Sequence, residues 1–171
     1  MPGGWLNERS RNGGIDEVPL PGGPGRLWLC GKHLVGPGPE DVLARTGATT
    51  IVCLNEVGEL RDRYPGYVEW LRSDAAVRAI WFPVPDLHAP TVAAVRPLLD
   101  EVARRLGSGQ GVVLHCGAGV GRAGTVAAAV LMVLGLPRVD ALALIAASRP
   151  SAGPQADVQS ELLAALEAEL G

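Results

Sequence analysis

The sequence predicts an α/β fold in which a central, mostly parallel sheet is flanked by helices. Short apolar segments typical of strands alternate along the chain with longer segments of helical periodicity. The segment GVVLH (111–115) is apolar throughout, as expected for a strand that is buried on both faces. Strands that alternate with helices favour a parallel sheet covered on both sides.

The predicted elements follow one another in a regular order. We expect strands at 26–30, 33–35, 49–55, 78–84 and 111–115, and helices at 39–45, within 56–73, after Thr91, and at 123–136, 139–148 and 156–170. Thr91 is a candidate N-cap for a helical stripe that continues to Leu106. Pro97 interrupts this stripe, so the sequence leaves open a kink or a later start of the helix.

Length and composition predict one globular domain. The chain has 171 residues, of which 47% are hydrophobic and 19% are charged, and this is enough for one substantial core. Residues 1–25 are rich in glycine and proline and have no periodicity, so we expect them to be a poorly ordered lead-in. The predicted single catalytic domain therefore covers residues 26–171.

Charge and hydropathy disfavour several classes of partner. The net charge is −3 and no run of lysines or arginines is present, which argues against binding to nucleic acid or to an anionic membrane. The longest apolar segment, 123–136, is shorter than the roughly 20 residues that cross a bilayer. Three cysteines without the spacing of a disulfide framework, and a first segment without a secretory signal, favour the cytoplasm.

The segment VVLHCGAGVGRAGT (112–125) carries the chemistry. It joins the buried strand to a helix, so backbone amides and the helix N-terminus converge on one anion-binding concavity. Cys116 lies at the base of this loop, where amides and a nearby cation favour the thiolate, and we expect its pKa to be depressed. Arg122 supplies that cation, and its planar fork suits two oxygens of a phosphoryl group.

A thiolate that faces a bound phosphoryl group can attack phosphorus. The product is a phosphocysteine, which water then hydrolyses. Amides and Arg122 neutralise the charge of the transferred group, so the reaction needs neither a metal nor a cofactor. We therefore expect the loop to bind phosphate, sulfate or vanadate.

The residues HCGAGVGR (115–122) resemble the signature loop of the cysteine-dependent protein tyrosine and dual-specificity phosphatases. The resemblance extends from about residue 25 to residue 159 and is closest to the small, single-domain dual-specificity type. It implies a phosphatase-like sheet flanked by helices. It also implies that the phosphate is held by the loop backbone and the arginine, that is, by Gly117, Ala118, Gly119, Val120, Gly121 and Arg122.

The same resemblance implies three further site residues. Asp86, in FPVPDLHAP, matches the aspartate that protonates the leaving oxygen and then activates water. His115 matches the histidine that helps to lower the cysteine pKa. RPSAGPQADVQ (149–159) resembles the segment whose glutamine positions the hydrolytic water, and we choose Gln159 for this role, with Gln155 as the alternative.

One position departs from the family pattern. Family members usually have serine or threonine directly after the arginine, where the hydroxyl stabilises the departing thiolate, whereas this chain has Ala123. Breakdown of the phosphoenzyme is therefore expected to be slow, unless the start of the helix brings the hydroxyl of Thr125 to the sulfur.

Other interpretations of these motifs fit less well. The pattern GxGxxG (119–124) outlines a dinucleotide site, but such a site needs an acidic residue at the end of a second strand, and residues 141–147 have a helical pattern without a carboxylate. No lysine followed by serine or threonine comes after the glycines, as it does in a nucleotide-binding P-loop. Cys30 and His33 lack a second pair of ligands at zinc spacing. Outside this context, Cys116 would be a small buried residue and Asp86 a turn former.

The sequence thus predicts a protein phosphatase that hydrolyses phosphotyrosine. Whether phosphoserine and phosphothreonine are also substrates depends on the depth of the pocket. No basic side chain lies within residues 117–121, which favours a phosphoprotein over a phosphoinositide. Two alternatives remain: a phosphate-binding module with little turnover, and a thiol enzyme that acts on a small-molecule phosphate or arsenate.

Overall fold

A computed structural model describes residues 13–171, and its five strands form one sheet in the order β1-β2-β5-β3-β4. The strands are β1 (Ile15–Val18), β2 (Arg26–Gly31), β3 (Thr50–Cys53), β4 (Ala79–Trp81) and β5 (Gly111–Cys116). The pairs β2–β5, β5–β3 and β3–β4 are parallel, and β1 pairs antiparallel with β2. The prediction of a mostly parallel sheet is confirmed.

Helices cover both faces of this sheet. They are α1 (Lys32–Val35), α2 (Pro39–Thr46), α3 (Pro65–Ser73), α4 (Val92–Gly107), α5 (Gly121–Val133), α6 (Arg138–Ser148) and α7 (Asp157–Leu170). Buried residues of α1, α2 and α3 form one core with Val113 of β5. Buried residues of α4 to α7 form the other core with Val112 and Leu114. Alternate side chains of β5 therefore enter opposite cores, which explains why this strand is apolar throughout.

The chain is ordered earlier than the sequence predicts. The expectation of a poorly ordered lead-in over residues 1–25 is wrong for β1, whose end residues Ile15 and Val18 are buried and pair with β2. The two middle residues are acidic, so the strand lacks the usual alternation, and its edge position tolerates them. Residues 1–12 lie outside the described part of the chain.

Two further details correct the predicted elements. Residues 33–35 belong to a short helix and not to a strand, because Gly31 ends β2 and Gly36 N–H closes a turn on the Lys32 carbonyl. Helix α4 begins directly after Thr91, whose hydroxyl accepts from Ala94 N–H, and it continues through Pro97. The described residues contain no helix that is long and apolar enough to span a membrane.

Candidate active site

The signature loop (residues 115–122) lies where β5 ends and α5 begins, against the end of β2. Lys32 N–H donates to the Gly117 carbonyl at 3.0 Å, and a Cβ on Gly31 would lie 2.7 Å from the same oxygen. Gly119 has a φ of 75°, and a Cβ there would overlap the Cys30 carbonyl group. Glycine is therefore required at position 119, both for its backbone conformation and for this close approach.

Cys116 lies at the base of a cavity of about 620 Å³. The thiol is 3% exposed, and Ala123 N–H in the first turn of α5 donates to Sγ at 3.4 Å. The cavity is also lined by Gly117, Ala118, Gly121, Arg122 and Asp86. The structure thus brings Cys116 together with the predicted arginine and aspartate.

Arg122 is buried beside this cavity and is held by two acceptors. Its Nη1 and Nη2 atoms donate to the two carboxylate oxygens of Glu59, each at 2.8 Å, and Nη1 also donates to the Val84 carbonyl at 2.8 Å. These bonds use three of the five guanidinium N–H groups. Nε has no partner among the described residues, so the Nε–Nη2 edge remains as a two-donor fork for an oxyanion.

Glu59 is the acidic partner that the sequence did not reveal. It ends a 3₁₀ turn (Val57–Glu59), and its carboxylate also accepts from Asn55 Nδ2 at 2.9 Å and from Glu56 N–H at 2.8 Å. Burial acts to raise its pKa, but these hydrogen bonds, with that of Arg122 the strongest, lower it to about 2. Glu59 lies 63 positions before Arg122, and no local pattern connects the two.

His115 is buried directly behind Cys116. Its Nε2 lies 2.6 Å from the Tyr67 hydroxyl, and its Nδ1 lies 3.2 Å from the Cys116 carbonyl oxygen. Burial lowers the pKa of His115 to about 4, so the imidazole is neutral at neutral pH. A neutral ring that contacts the Cys116 backbone fixes the strand end that carries the thiol.

Asp86 lies at the mouth of the cavity on the loop that follows β4. Its side chain is 74% exposed, and Oδ1 lies 3.6 Å from Arg122 Nη2. Oδ1 also accepts from Leu87 N–H at 3.0 Å, and Leu87 has a φ of 62°. The Val84 carbonyl, two residues earlier, accepts from Arg122, so the arginine anchors the loop that carries Asp86.

The structure places Gln159, the residue predicted to position water, outside the lining of the cavity. Gln159 is 1% exposed and does not line the cavity; its Oε1 accepts from Gln155 N–H at 2.7 Å and its Nε2 donates to the His88 carbonyl at 3.3 Å. Gln155 lines the cavity instead, and its Oε1 lies 2.7 Å from the position of a Cβ on Gly121. Gln159 therefore fixes the backbone that presents Gln155.

Neither Ala123 nor Thr125, at the start of α5, supplies a hydroxyl group to the Cys116 sulfur. Ala123 has only its backbone N–H directed at the sulfur. The Thr125 hydroxyl is buried and donates to the Gly121 carbonyl at 2.7 Å, within its own helix. Thr125 therefore does not replace the serine or threonine that the family places at position 123.

A second buried arginine, Arg149, holds the loop from behind. It donates to Asp16 Oδ2 at 2.8 Å and to the carbonyl oxygens of Ala118 at 2.9 Å and Gly14 at 3.3 Å. The loop, β1 and the end of α6 are thus joined through one side chain. No local pattern in the sequence reveals this role, because Asp16 and Arg149 lie 133 positions apart.

Within residues 13–171, no group of three or more histidine, cysteine or acidic side chains is arranged to hold a metal ion. The loop instead offers backbone amides and one guanidinium fork, which suit a tetrahedral oxyanion. A mostly parallel sheet, and a cysteine–arginine loop between its central strand and a helix, define the phosphatase class.

Comparison with known proteins identifies the family within this class. A family model described as "Swiss Army Knife protein, DSP-PTPase phosphatase domain" matches residues 37–165. The chain therefore belongs to the DSP-PTPase phosphatase family and is a hydrolase of phosphoric monoesters. The family predicted from the signature loop is confirmed. A search of curated protein sequences finds no match.

Solved structures are similar over most of the chain. Tk-PTP in its active form is 27% identical with a TM-score of 0.69, over 89% of this chain and 96% of that one. Kinase associated phosphatase (KAP), with its catalytic-site cysteine substituted by serine, is 22% identical with a TM-score of 0.71, over 85% and 87%. PTPMT1 in complex with PI(5)P is 23% identical with a TM-score of 0.59, over 85% and 94%. At these levels of identity, the similarity to KAP and to PTPMT1 shows that this chain shares their fold.

Proposed function

We propose that this phosphatase hydrolyses phosphotyrosine in proteins through a phosphocysteine on Cys116, with Asp86 as general acid and base. One observation carries the proposal: the Cys116 thiol and the unused fork of Arg122 share one cavity, and Asp86 lies at its mouth. The KAP structure, in which a catalytic-site cysteine is replaced by serine, is consistent with this role for the cysteine.

Substrate binding places the phosphoryl group inside the signature loop. Amides of residues 117–121 and the Nε–Nη2 edge of Arg122 donate to the three non-bridging oxygens. Because Glu59 occupies the other edge of the guanidinium, that edge cannot rotate into the cavity. The fork is therefore oriented before the substrate arrives, which lowers the cost of organising the transition state.

Transfer then proceeds in two steps. In the first, the sulfur of Cys116 forms a bond to phosphorus while the bond from phosphorus to the tyrosine oxygen breaks, and Asp86 gives its proton to that oxygen. In the second, water attacks phosphorus, the Asp86 carboxylate takes the water proton, and the S–P bond breaks to release phosphate and thiolate. Gln155, on the cavity wall, is suited to orient this water.

In the second step the departing sulfur lacks the hydrogen bond from a serine or threonine hydroxyl that most relatives provide. It accepts one hydrogen bond from Ala123 N–H, and no hydroxyl of residues 123 or 125 reaches it. We expect the phosphoenzyme to accumulate, so a rapid burst of aryl alcohol should precede the steady state.

The substrate is proposed to be a phosphoprotein. PTPMT1 has been solved with a phosphoinositide, but in this chain residues 117–121 contribute no basic side chain to the base of the cavity. The proposed specificity is for phosphotyrosine at least, whose long side chain reaches a thiol that is 3% exposed.

Hydrolysis of p-nitrophenyl phosphate tests the mechanism. We expect vanadate-sensitive turnover by the wild type, no detectable turnover by Cys116→Ser, and a loss of about 100-fold in kcat for Asp86→Asn. Cys53→Ser and Asp62→Asn are matched controls, since neither residue lines the cavity, and both should retain activity.

The outcomes separate the rival functions. Binding of vanadate and phosphopeptide without turnover would identify a phosphate-binding module. Turnover of aryl phosphate with no preference for phosphopeptides would identify a small-molecule enzyme. Full activity in Cys116→Ser would contradict the phosphocysteine mechanism.

A further inference from the structure

The wall of the cavity beside the signature loop carries two basic side chains that the proposed mechanism does not use. Lys32 and His33, at the start of α1, line the same cavity as Cys116 and Arg122. Both are half-buried. Neither belongs to the signature loop. The cavity therefore contains basic side chains although residues 117–121 have none.

The backbone fixes the position of this pair relative to the phosphate. Lys32 N–H donates to the Gly117 carbonyl at 3.0 Å, and Gly31 packs so closely on the loop that a Cβ would lie 2.7 Å from the same oxygen. The first residue of α1 is thus joined directly to the first residue of the phosphate cradle. The side chains at the start of α1 are therefore anchored next to the signature loop.

The Lys32 ammonium group is oriented but not neutralised. Nζ donates to the backbone carbonyl of Glu59 at 3.2 Å, and within residues 13–171 it forms no salt bridge with a carboxylate. The Glu59 side chain is occupied by Arg122. Lys32 and Arg122 therefore contact different groups of one residue, the carbonyl and the carboxylate of Glu59.

The charges of the other side chains in the cavity do not neutralise Lys32 either. Its charged or titratable side chains, apart from the thiol, are Lys32, His33, Glu59, Asp86 and Arg122. Glu59 and Arg122 neutralise each other, and Asp86 is uncharged when it serves as the acid. Lys32 is left as an excess positive charge next to the site of a dianion.

His33 adds a donor to this wall. Its Nδ1 lies 2.6 Å from the Tyr64 hydroxyl, and the Arg63 guanidinium lies over the Tyr64 ring at 5.7 Å. Burial, with the positive charges of Arg63 and Lys32, lowers the pKa of His33. When the Tyr64 hydroxyl donates to Nδ1, the neutral ring carries its proton on Nε2, which can donate to an anion.

We propose that Lys32 and His33 form a second anion-binding subsite, which selects phosphotyrosine peptides that carry an acidic residue next to the phosphotyrosine. The inference rests on the proposed function. The carboxylate of the neighbouring residue lies on the wall formed by the two side chains while the phosphoryl group occupies the signature loop. The subsite is separate from the loop, so it affects the choice of substrate and not the chemical steps.

Paired substrates test the subsite. Phosphotyrosine peptides with glutamate on either side of the phosphotyrosine are compared with the same peptides carrying glutamine, and p-nitrophenyl phosphate serves as a substrate without a second anion. We expect the wild type to prefer the glutamate peptides by about tenfold in kcat/KM, the size expected for one hydrogen-bonded charge pair. Lys32→Met should abolish this preference, and Lys32→Arg should restore most of it.

Controls separate this inference from the proposed function. Arg104→Met removes an exposed cation on α4 outside the cavity and should leave the preference unchanged. Thermal unfolding of each variant confirms that it is folded. If the wild type binds the phosphopeptides but does not hydrolyse them, the proposed function fails. The preference for glutamate over glutamine can then still be measured from the affinities of Cys116→Ser for the same pairs of peptides.

Three results would overturn the subsite. One is equal kcat/KM for the glutamate and glutamine peptides in the wild type. Another is a loss in Lys32→Met that is the same for p-nitrophenyl phosphate and both peptides, because Lys32 would then act on the transferred phosphoryl group. The third is a preference for phosphoinositide vesicles over every peptide, since the second anion would then belong to a lipid headgroup.

Discussion

Two buried arginines contact the signature loop, and they differ in whether their unused donors lie beside the cavity. Arg122 faces the cavity, pairs with Glu59 and keeps one edge of its guanidinium for a ligand. Arg149 lies outside the cavity lining and donates to Asp16 and to the carbonyl oxygens of Ala118 and Gly14, and its Nε also has no partner among the described residues. Under the proposed function, Arg122 binds the substrate, whereas Arg149 supports the loop that binds it.

The comparison shows how one residue type acquires two roles. A guanidinium has five donors in a rigid plane, so its function depends on how many of them the fold has already used. In both positions a carboxylate offsets the cost of burying the charge. Under the proposed function, the position of the remaining donors, beside the cavity or outside it, separates substrate binding from support.

The largest effect is expected from Arg122→Lys. Lysine keeps the charge but loses the planar fork and the two-point contact with Glu59, so kcat/KM for p-nitrophenyl phosphate should fall about 1000-fold. Arg104→Lys, on the surface of α4, is the matched control and should retain full activity. Retention of activity within tenfold by Arg122→Lys would show that the fork does not bind the phosphoryl group.

Gly119→Ala tests the shape of the loop that both arginines support. The added Cβ overlaps the Cys30 carbonyl group at a residue with positive φ, so the loop must shift, and we expect about 100-fold lower kcat/KM. Gly22→Ala is the control, because it has a similar φ of 71° and no atom within 4 Å of the new Cβ. Equal activity of the two variants would contradict the requirement for close packing.

Arg149→Met should separate support from catalysis. Its removal takes an ion-pair partner from the half-buried Asp16 and a donor from the Ala118 carbonyl, and we expect about 3 kcal/mol lower free energy of unfolding in urea. The activity of the folded fraction should fall only about tenfold, because the Arg122 fork is retained. A loss as large as that of Arg122→Lys, with unchanged stability, would place Arg149 in the chemistry.

The smallest expected effect is a change in stability with pH that comes from His115. The two arginines are charged in the folded protein, whereas the buried His115 imidazole is neutral. Its pKa falls from 6.5 to about 4 on folding, so the unfolded chain binds the extra proton first as the pH decreases. Its contribution to stability is fully present above pH 6.5, and about 2 kcal/mol of it should be lost between pH 6.5 and pH 5.

Urea unfolding at pH 7 and pH 5 measures this loss, and His115→Gln isolates it. The carboxyl of Glu59, with a pKa of about 2, does not titrate in this interval. The pKa of His33 is also lowered, so His33 contributes to the pH dependence of both proteins and cancels in their difference. Identical pH dependence in wild type and His115→Gln would mean that the buried imidazole is not held neutral.

Two features depend on contacts that leave no local pattern in the sequence. β1 escaped prediction because a four-residue edge strand with two acidic middle residues lacks a periodic signal, and only its pairing with β2 makes it a strand. Gln155 and Gln159 lie four residues apart, and the sequence pattern does not show which of them lines the cavity. Which of them faces the cavity depends on where α7 begins and what it packs against.

The family, the sheet flanked by helices, and the loop with Cys116 and Arg122 could be predicted from the amino-acid pattern, because they depend on periodicity and on residues close together in the chain. The pairing of Glu59 with Arg122, the contacts of Arg149 with Asp16 and the loop, and the lining of the cavity by Lys32 and His33 became apparent only in the folded structure. These contacts join residues far apart in sequence, and the order of strands in the sheet sets which of them meet.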